Sequence, residues 1–541
     1  MNNHRDFLFR VFRKIQRTFH EIRSDQAIRS TALEVKRQAR VVRTTAPVIL
    51  FNASTRIGLN SYNAAYSLIA SWALRLAGIP VIHFVCREGM TRCVLGTNPD
   101  HPDWAPPCKE CLQRSKINYT AADARYFSFH LDPEVRSSLA DLDLEALASF
   151  VHREVPLGAV VLPALRWRFR AHNLIDSEAA RFVFREYIQS AWNIYCEFER
   201  LLDEVKPQAL IVFNGQFFPE AIASWSARRR GIRTITHEVG LQPFSGFFTD
   251  GEATAYPIQI PADFKLSVDQ SARLDSYLEN RFKGQFSMAG IRFWPEMKGL
   301  DQAFLDKARS FRQIVPVFTN VIFDTSQPHA NTVFADMFVW LEAILELARS
   351  HTDTLFVIRA HPDESRPGKE SRETVQDWVI SHQAAELPNV VFVASDEYFS
   401  SYELIQRSKF VMIYNSTIGL EASILGTPVL CAGRARFTQY PTVFFPKSIR
   451  EYNEQAANFL DAEKIEVPQE FRENARKFLY YQLYKTSLPF NDFLLPAEHP
   501  SFTRFRKIPL KALSPDQSSA LQTFLTGVLQ HGDFLLTDEG S

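Results

Sequence analysis

Polar residues with the chemistry to bind a phosphorylated ligand directly follow a short apolar run at residues 410–413. Residues 414–422 read Tyr-Asn-Ser-Thr-Ile-Gly-Leu-Glu-Ala. Hydroxyls and backbone N–H groups at the start of a helix suit a phosphate, and Glu421, about one helical turn further on, could accept hydrogen bonds from a ribose diol. The alternative is structural, in which Ser416 or Thr417 caps the helix and Glu421 only complements the helix dipole.

A second candidate group, Arg359-Ala360-His361-Pro362, ends a β-rich run at residues 355–359. Arg359 offers a planar donor fork for a phosphate or a carboxylate, and His361 can donate or accept a hydrogen bond near neutral pH. The alternative is a structural histidine beside a proline turn. Ligands of open α/β sheets bind at the carboxyl ends of the strands, so both groups are expected in one cleft.

The elements that must position these residues alternate between short β-rich runs and helical stretches from Val48 onward, which is typical of parallel sheets with crossover helices. The predicted fold class is therefore α/β, with two doubly wound parallel-sheet domains. Strands are predicted at 48–51, 79–85, 209–213, 233–236, 315–319, 355–359, 390–393, 410–413 and 429–431. The predicted organisation is an N-terminal arm (1–43), an N-terminal domain (44–254), a largely helical connector (255–312), a C-terminal domain (313–470), and a helix and tail (471–541).

The two motifs, together with residues 318–324, resemble the bacterial capsule-polysaccharide biosynthesis transferases, a GT-B group whose relatives include Kdo transferases and bacterial sialyltransferases. The resemblance is clearest over about residues 310–445. It implies two facing Rossmann-like domains, with the C-terminal domain on the side of a nucleotide-sugar donor. It also implies that His361, Ser416 and Thr417 hold the nucleotide phosphates and that Glu421 holds the ribose. The full set of predicted donor-side residues is Arg359, His361, Asn415, Ser416, Thr417, Gly419, Glu421 and Arg434.

The reaction implied by this resemblance needs groups that stabilise the negative charge on the leaving phosphate. If the configuration at the transferred sugar inverts, it also needs a base. Helix-start N–H groups, Arg359 and either Arg434 or Arg436 could stabilise the leaving phosphate without a metal ion, so no catalytic cofactor is expected. The candidates for the base that deprotonates an acceptor hydroxyl are His237 and Glu238, which follow a predicted strand. Alternatively, their loop only shapes the cleft. Asn214 and Gln216, after the preceding strand, are expected to contact the acceptor.

Four of the six cysteines fall close together in the sequence, namely Cys86, Cys93, Cys108 and Cys111. The Cys108-Lys109-Glu110-Cys111 pair has the spacing of a metal knuckle, whereas the gap between Cys86 and Cys93 is longer than usual for one. A structural zinc ion, buried free thiols, and redox or iron–sulfur chemistry all stay open.

The charge of the chain is balanced overall but segregated. The 61 Lys and Arg equal the 61 Asp and Glu, so no global field draws the protein to nucleic acid, and no such partner is expected. Residues 1–43, however, contain eleven basic and four acidic residues. Apolar residues recur between these charges at helical spacing: Phe7, Leu8, Val11, Ile15, Phe19 and Ile22. The pattern predicts a basic amphipathic helix that could lie on an anionic membrane surface or pack on the protein itself.

Composition also limits the class of protein. Hydrophobic residues make up 46% and charged residues 23%, which is ordinary for a folded globular chain and excludes a mainly disordered or coiled-coil protein. No apolar run is long enough to predict a transmembrane helix. Few cysteines and no leading apolar region favour the cytoplasm, with peripheral contact at the inner face of the membrane as an option.

The leading hypothesis is a glycosyltransferase that moves a sugar from a nucleotide-activated donor to a growing surface or capsular polysaccharide or a glycolipid. The acceptor would be a saccharide or a lipid-linked saccharide. Two alternatives share the expected frame: a nucleotide-sugar epimerase, which needs no acceptor, and a non-catalytic protein of polysaccharide assembly.

Overall fold

The computed structural model describes residues 2–42, 44–55, 57–283 and 297–537, with only the backbone described for residues 2–15 and 55. The strands of these ranges are β1 (Val48–Phe51), β2 (Val81–Cys86), β3 (Asp123–Phe127), β4 (Ala209–Phe213), β5 (Arg233–Val239), β6 (Ser245–Thr249), β7 (Gln313–Phe318), β8 (Thr354–Arg359), β9 (Val390–Val393), β10 (Val411–Ile413), β11 (Val429–Cys431), β12 (Leu488–Pro489), β13 (Leu494–Pro496) and β14 (Thr503–Phe505).

The helices of the same ranges are α1 (Asn2–Gln38), α2 (Tyr62–Leu76), α3 (Cys108–Asn118), α4 (Pro133–Ser138), α5 (Leu144–Ala148), α6 (Leu157–Phe169), α7 (Glu178–Val205), α8 (Phe218–Arg229), α9 (Val268–Phe282), α10 (Gln302–Ala308), α11 (Gln327–Ala330), α12 (Met337–Ser350), α13 (Val375–Ser381), α14 (Ser401–Arg407), α15 (Ile418–Leu425), α16 (Ile449–Asp461), α17 (Gln469–Tyr480) and α18 (Ser519–Gln530). Within these ranges, no helix combines the length and the apolar character needed to cross a bilayer.

Each half of the chain is built on its own sheet. The N-terminal sheet has seven strands in the order β12-β6-β5-β4-β1-β2-β3. Its strands from β5 to β3 run parallel, and β6 and β12 add an antiparallel edge. The C-terminal sheet has five parallel strands in the order β11-β10-β7-β8-β9. The predicted fold class, α/β with two Rossmann-like domains, is confirmed.

Helices cover both faces of both sheets, which is why apolar runs such as Val-Ile-Leu-Phe in β1 are buried along their whole length. Helices α6, α7 and α8 pack on one face of the N-terminal sheet, and α1, α2 and α18 pack on the other. Helices α12, α13 and α16 cover one face of the C-terminal sheet, and α9, α15 and α17 cover the other. The nine strands predicted from the sequence all occur, with small shifts at their ends.

The C-terminal tail returns to the N-terminal domain, a feature that the sequence did not predict. Helix α17 continues into a π-helical turn at Tyr481–Lys485. Strand β12 then pairs antiparallel with β6, with Leu488 opposite Gly246, and α18 joins the core beside α2. The first domain is thus completed by residues from the far end of the chain.

The predicted N-terminal arm is one long helix, α1, of which the later part is packed. Ile28 and Val35 are buried against the N-terminal domain. Earlier in the helix, Phe19 and Ile22 are 49% and 50% exposed. The other four residues of the predicted apolar stripe, Phe7, Leu8, Val11 and Ile15, have side chains outside the described set.

Candidate functional site

A cavity of about 220 Å³ lies at the carboxyl ends of β8 and β10, where the C-terminal domain faces the N-terminal domain. Five of the predicted donor-side residues line it: Arg359, His361, Ser416, Thr417 and Glu421. The opposite wall includes Leu241 from the N-terminal domain and Gln482 from the π-helical turn. The two motifs that the sequence placed in one cleft are therefore in one cavity, which we call the donor cavity.

The start of α15 keeps its hydroxyl groups available for a ligand. Thr417 is the N-cap residue, yet its side chain makes no capping hydrogen bond, and the backbone carbonyl of Ser416 accepts from the N–H of Gly419 at 3.1 Å. The structural alternative, in which a hydroxyl caps the helix, is therefore not what the fold adopts. The positive dipole end of α15 lies at the same place and attracts an anion.

Arg359 and His361 present donors at the end of β8. Arg359 is buried, and its Nη1 donates to the backbone carbonyl of Glu397 at 3.3 Å. Burial lowers the pKa of Arg359 to about 10, so its guanidinium is still charged at neutral pH. The Nδ1 of His361 accepts from the N–H of Asp363 at 3.1 Å. Burial also lowers the pKa of His361, so the neutral ring carries its proton on Nε2, the nitrogen that would donate to a phosphate oxygen.

Glu421 lines the donor cavity but is already paired, which the sequence did not indicate. Its Oε1 accepts from Nε of Arg281 at 2.6 Å, and its Oε2 accepts from the hydroxyl of Tyr402. Arg281 comes from α9 and Tyr402 from α14, so three helices meet at this carboxylate. A carboxylate oxygen has two lone pairs, so Glu421 can accept from a ribose hydroxyl while these pairs are kept.

Three predicted donor-side residues lie outside the lining of the donor cavity. Asn415 is buried, and its Oδ1 accepts from Nδ2 of Asn320 at 2.7 Å. A Cβ on Gly419 would lie 2.3 Å from Cδ1 of Ile413, so this glycine lets α15 pack closely on β10. Arg434 is exposed and absent from the lining, whereas Arg436 lines the cavity and stacks over Tyr256 at 4.1 Å.

The two candidate bases differ in their surroundings. His237 is fully buried beside Phe213 and Phe248, and burial lowers its pKa to about 3. A histidine enclosed in this way cannot contact a substrate, so the structure does not support it as the base. Glu238 is half-buried, and its Oε1 accepts from Nδ2 of Asn63 at 3.0 Å and from the N–H of Val239 at 2.9 Å.

Burial raises the pKa of Glu238, and the charge of Asp324 in the C-terminal domain adds to the rise. The same Asp324 also influences the pKa of His361, so Glu238 and His361 share one charged neighbour. Glu238 therefore belongs to the region where the two domains meet, and it remains the predicted base.

The two predicted acceptor-side residues lie at a contact between the domains. The side chain of Asn214 is buried, and its Oδ1 accepts from the N–H of Gln216 at 2.8 Å. Nε2 of Gln216 lies 3.4 Å from Nε2 of His329, a residue of the C-terminal domain. His329 also lies 2.8 Å from the hydroxyl of Thr254. Neither Asn214 nor Gln216 lines the donor cavity, and their contact with an acceptor stays a prediction.

Several residues of the donor cavity were not found from the sequence: Tyr277, Arg281, Tyr402 and Gln482. Gln482 is buried, and within the described residues its Nε2 has no hydrogen-bond partner. It lies in a π-helical turn, a geometry that is frequent at functional sites. That turn is visible only in the three-dimensional structure, because residues 471–485 read as one continuous helix.

The four clustered cysteines line one small cavity of about 30 Å³. The N–H of Gly89 donates to Sγ of Cys86, and the N–H of Gly96 donates to Sγ of Cys93, both at 3.3 Å. All four are free thiols, and among the described residues no group of three or more ligands is arranged to hold a metal ion. The zinc site therefore stays a prediction.

Comparisons with known proteins agree with the motifs. The family model described as capsule polysaccharide biosynthesis protein matches residues 296–440. No curated protein matches the sequence. Among solved structures, the beta Kdo 2,4 transferase of Thermosulfurimonas dismutans KpsC is 12% identical over 57% of this chain and 87% of that chain, with a TM-score of 0.36.

Two further solved structures are similar to this chain. The beta Kdo 2,7 transferase of the same KpsC is 14% identical over 55% of this chain and 84% of that chain, with a TM-score of 0.31. The UDP-GlcNAc 2-epimerase of Neisseria meningitidis is 13% identical over 81% and 99%, with a TM-score of 0.24. The resemblance predicted from the two motifs is confirmed by the family match: over residues 296–440, this chain is similar to the capsule polysaccharide biosynthesis proteins.

Proposed function

We propose that this protein is a glycosyltransferase of capsule or surface-polysaccharide assembly that takes its sugar from a nucleotide-activated donor. The observation that carries the proposal is the donor cavity, which gathers Arg359, His361, Ser416 and Thr417 at the start of α15. Phosphate-binding chemistry at the carboxyl ends of parallel strands is how α/β domains hold nucleotides. The family match over the same segment supports a role in capsule polysaccharide biosynthesis.

In the proposed reaction, the bond between the sugar and the nucleotide phosphate breaks, and negative charge grows on the leaving oxygen. The N–H groups at the start of α15, together with Arg359 and Arg436, would stabilise that charge. His361 would donate from Nε2 to a phosphate oxygen, and Glu421 would bind the ribose. A fixed set of donors inside a partly enclosed cavity acts more strongly than the same groups in water.

Glu238 would accept the proton of the acceptor hydroxyl as that oxygen attacks the sugar. Its hydrogen bonds from Asn63 and Val239 fix the carboxylate, and its raised pKa brings its basicity closer to neutral pH. The acceptor would be a saccharide or a lipid-linked saccharide, and the reaction would take place on the cytoplasmic side of a membrane.

Helix α1 would hold the enzyme at an anionic membrane surface. Phe19 and Ile22 are half-exposed on a helix segment rich in arginine. A basic helix with exposed apolar side chains lies in the interface of anionic bilayers.

The test begins with a panel of CMP-, UDP- and GDP-sugars, scored by the thermal stabilisation of the purified protein. At least one donor is expected to raise Tm. Arg359→Gln should reduce this stabilisation, whereas Arg309→Gln, which changes the exposed arginine directly after α10, should not. The selected donor is then incubated alone and with saccharide acceptors, and the products are identified.

The product decides between the alternatives. Transfer of the sugar to an added acceptor supports the proposal. An epimerised nucleotide sugar formed without any acceptor would instead identify an epimerase. Donor-dependent stabilisation with neither release nor transfer of sugar would favour a non-catalytic assembly protein.

A further inference from the structure

A second cavity, of about 600 Å³, lies at another contact between the two domains. Residues 95–100, Arg168 and Arg170 line it from the N-terminal domain, and residues 370–372 line it from the C-terminal domain. We call it the basic cavity. None of its lining residues takes part in the donor cavity.

Three arginines alternate at the end of α6, namely Arg166, Arg168 and the C-cap residue Arg170, and the last two line the basic cavity. Arg170 is only 9% exposed, and its Nη1 has no hydrogen-bond partner among the described residues. The Nε atoms of Arg166 and Arg168 are also buried without a partner in that part of the chain. A buried cation without a counter-charge is costly unless something else supplies the negative charge.

Two carboxylates, Asp100 and Glu370, also line the basic cavity opposite Arg168, Arg170 and Arg372, which leaves one positive charge in excess. Asp100 pairs with Arg372, and Asp363 lies 3.7 Å from Arg366. Oε1 of Glu370 accepts from the N–H of Gly368 at 2.9 Å.

The pKa of Arg170 also reflects the excess of positive charge around it. Burial, and after it the positive charge of Arg168, lowers the pKa of Arg170 to about 10 despite the opposing effect of Glu370. Its guanidinium also lies over the rings of Trp167 at 4.2 Å and Phe323 at 5.2 Å, which hold it in place. The region therefore contains a fixed and under-compensated positive charge.

The basic cavity is close to the donor cavity along the chain, since residues 359–363 line the donor cavity and residues 368 and 370–372 line the basic cavity. The short 3₁₀ turn Pro362–Ser365 begins this stretch, and its Asp363 lies 3.7 Å from Arg366. The two domains are joined at the basic cavity, where the N–H of Arg372 donates to the carbonyl of Arg170 at 3.0 Å. A substrate that reaches the domain junction could thus occupy the basic cavity while a nucleotide occupies the donor cavity.

We propose that the basic cavity binds an anionic group of the acceptor, so that the acceptor is an acidic saccharide carrying carboxylates or phosphates. This inference rests on the proposed transferase function and adds the chemical class of its second substrate. Arg168 and Arg170 would supply the charge, and their guanidinium forks suit both anions.

Isothermal titration calorimetry with three oligosaccharide probes tests the inference. The probes are a carboxylated oligogalacturonate, a phosphorylated oligomannose and neutral maltopentaose. The wild-type protein is expected to bind at least one anionic probe, more weakly as salt is added, and to bind maltopentaose much less. Binding of only one anionic probe identifies the carboxylate or the phosphate as the recognised group.

Variants connect the binding to the two arginines. Arg168→Gln, Arg170→Gln and the double variant should each weaken binding of the anionic probe, with a loss of about tenfold or more in the double variant. Arg309→Gln serves as the matched control and should leave the affinity unchanged. Glutamine at these positions also removes the mutual repulsion of the arginines, so these variants are expected to fold.

Nucleotide-sugar stabilisation is measured on the same samples. If it persists while no anionic probe binds the wild-type protein, this inference fails and the proposed function stands. The inference also fails if the double variant binds the anionic probe as well as the wild type, or if maltopentaose binds equally. If no nucleotide sugar stabilises any sample, the proposed function itself fails.

Discussion

Glu238 combines two properties that a general base needs, a carboxylate held by hydrogen bonds and a pKa that burial raises from its ordinary value. The base must be ionised to accept a proton, so kcat/KM should rise with pH through this raised pKa. The acidic limb of the profile is therefore expected above pH about 4.3, the ordinary pKa of a glutamate.

Glu238→Gln should reduce kcat by about 10²–10⁴-fold while the affinity for the donor stays nearly constant. The amide keeps the shape of the side chain but cannot take a proton. The pH profile of Asn63→Ala supplies the control, because loss of the hydrogen bond from Asn63 should raise the pKa of Glu238 further and move the acidic limb to higher pH. An unchanged kcat in Glu238→Gln would exclude this residue as the base.

Glu421→Gln should weaken nucleotide binding by about tenfold and lower the free energy of unfolding by about 1–3 kcal/mol. The first effect follows from its place in the donor cavity, and the second from the loss of charge opposite Arg281. Tyr402→Phe is the matched control, since it removes only the hydroxyl contact and leaves the pair with Arg281 intact. Equal donor affinity in wild type and Glu421→Gln, measured by calorimetry, would remove Glu421 from the site.

Single residues of the donor cavity were predictable where they follow a strand directly. Arg359 ends β8, and Ser416 comes three residues after β10, so their position depends only on local sequence. The sequence did not predict in the same way on which face of the sheet a strand side chain lies. His237 and Glu238 are neighbours on β5 and so point to opposite sides of the sheet, and only one of them avoids the core.

The other site residues that the sequence did not predict depend on contacts between distant parts of the chain. Arg281 is 140 residues from its partner Glu421. No local spacing brings such residues together, so a sequence pattern cannot identify the pair. The alternating arginines at 166, 168 and 170 are visible in the sequence, yet without the facing domain they resemble an ordinary solvated helix end.

Among the elements, helix α1 carries two half-exposed apolar side chains, Phe19 and Ile22, on its basic part. Replacement of both Phe19 and Ile22 by Asp should reduce co-sedimentation with vesicles that contain phosphatidylglycerol, because each buried apolar side chain contributes about 1.5–3 kcal/mol. Leu33→Asp introduces one such charge on the part of α1 that packs on the domain, and it should have little effect on vesicle binding. Equal binding of the wild type to neutral and anionic vesicles would contradict the proposal.

The loops that carry the four clustered cysteines lead to a prediction about metal content. Their thiols line one cavity, and Sγ of Cys86 and Sγ of Cys93 each accept an N–H hydrogen bond. The zinc hypothesis predicts that protein produced with added zinc contains about one zinc ion per chain by elemental analysis. The double variant Cys108→Ser/Cys111→Ser should lose the zinc, whereas Cys196→Ser should keep it.

Two other results would identify the alternatives that the sequence left open. A metal-free protein whose thiols all titrate after unfolding would establish buried free thiols. In that case Cys93 should react slowly in the folded state, because burial raises its pKa to about 12 and keeps it protonated. Visible absorption from iron would indicate a cluster instead of zinc.

At the scale of the whole molecule, the N-terminal domain contains residues from both ends of the chain, because β12 and α18 pack on it after the C-terminal domain is complete. Strands of three to seven residues were recognisable from their β-rich sequence. Strand β12 has only two residues, and its partner β6 precedes the whole C-terminal domain in the sequence. Neither the length of β12 nor the residues next to it in the sequence therefore predicted a strand. The sequence therefore predicted two domains and missed that the last residues complete the first one.

This return of the chain predicts that a substitution near the C-terminus destabilises the N-terminal domain. Phe524 of α18 is fully buried, and its ring packs edge-on against Phe248 of β6 at 5.1 Å. Phe524→Ala should lower the free energy of unfolding by about 3–5 kcal/mol. Gln522→Ala, on the exposed face of the same helix, should change it by less than about 0.5 kcal/mol.

Hydrogen exchange followed by mass spectrometry locates the effect of Phe524→Ala. Exchange is expected to increase in peptides from β5 and β6, because these strands share a core with α18. Peptides from β7 and β8 should exchange as in the wild type, since the core that contains Phe524 includes no residue of these two strands. Faster exchange confined to β7 and β8 would contradict the assignment of the tail to the N-terminal domain, whereas the expected pattern would make the last helix a stabilising part of the first sheet.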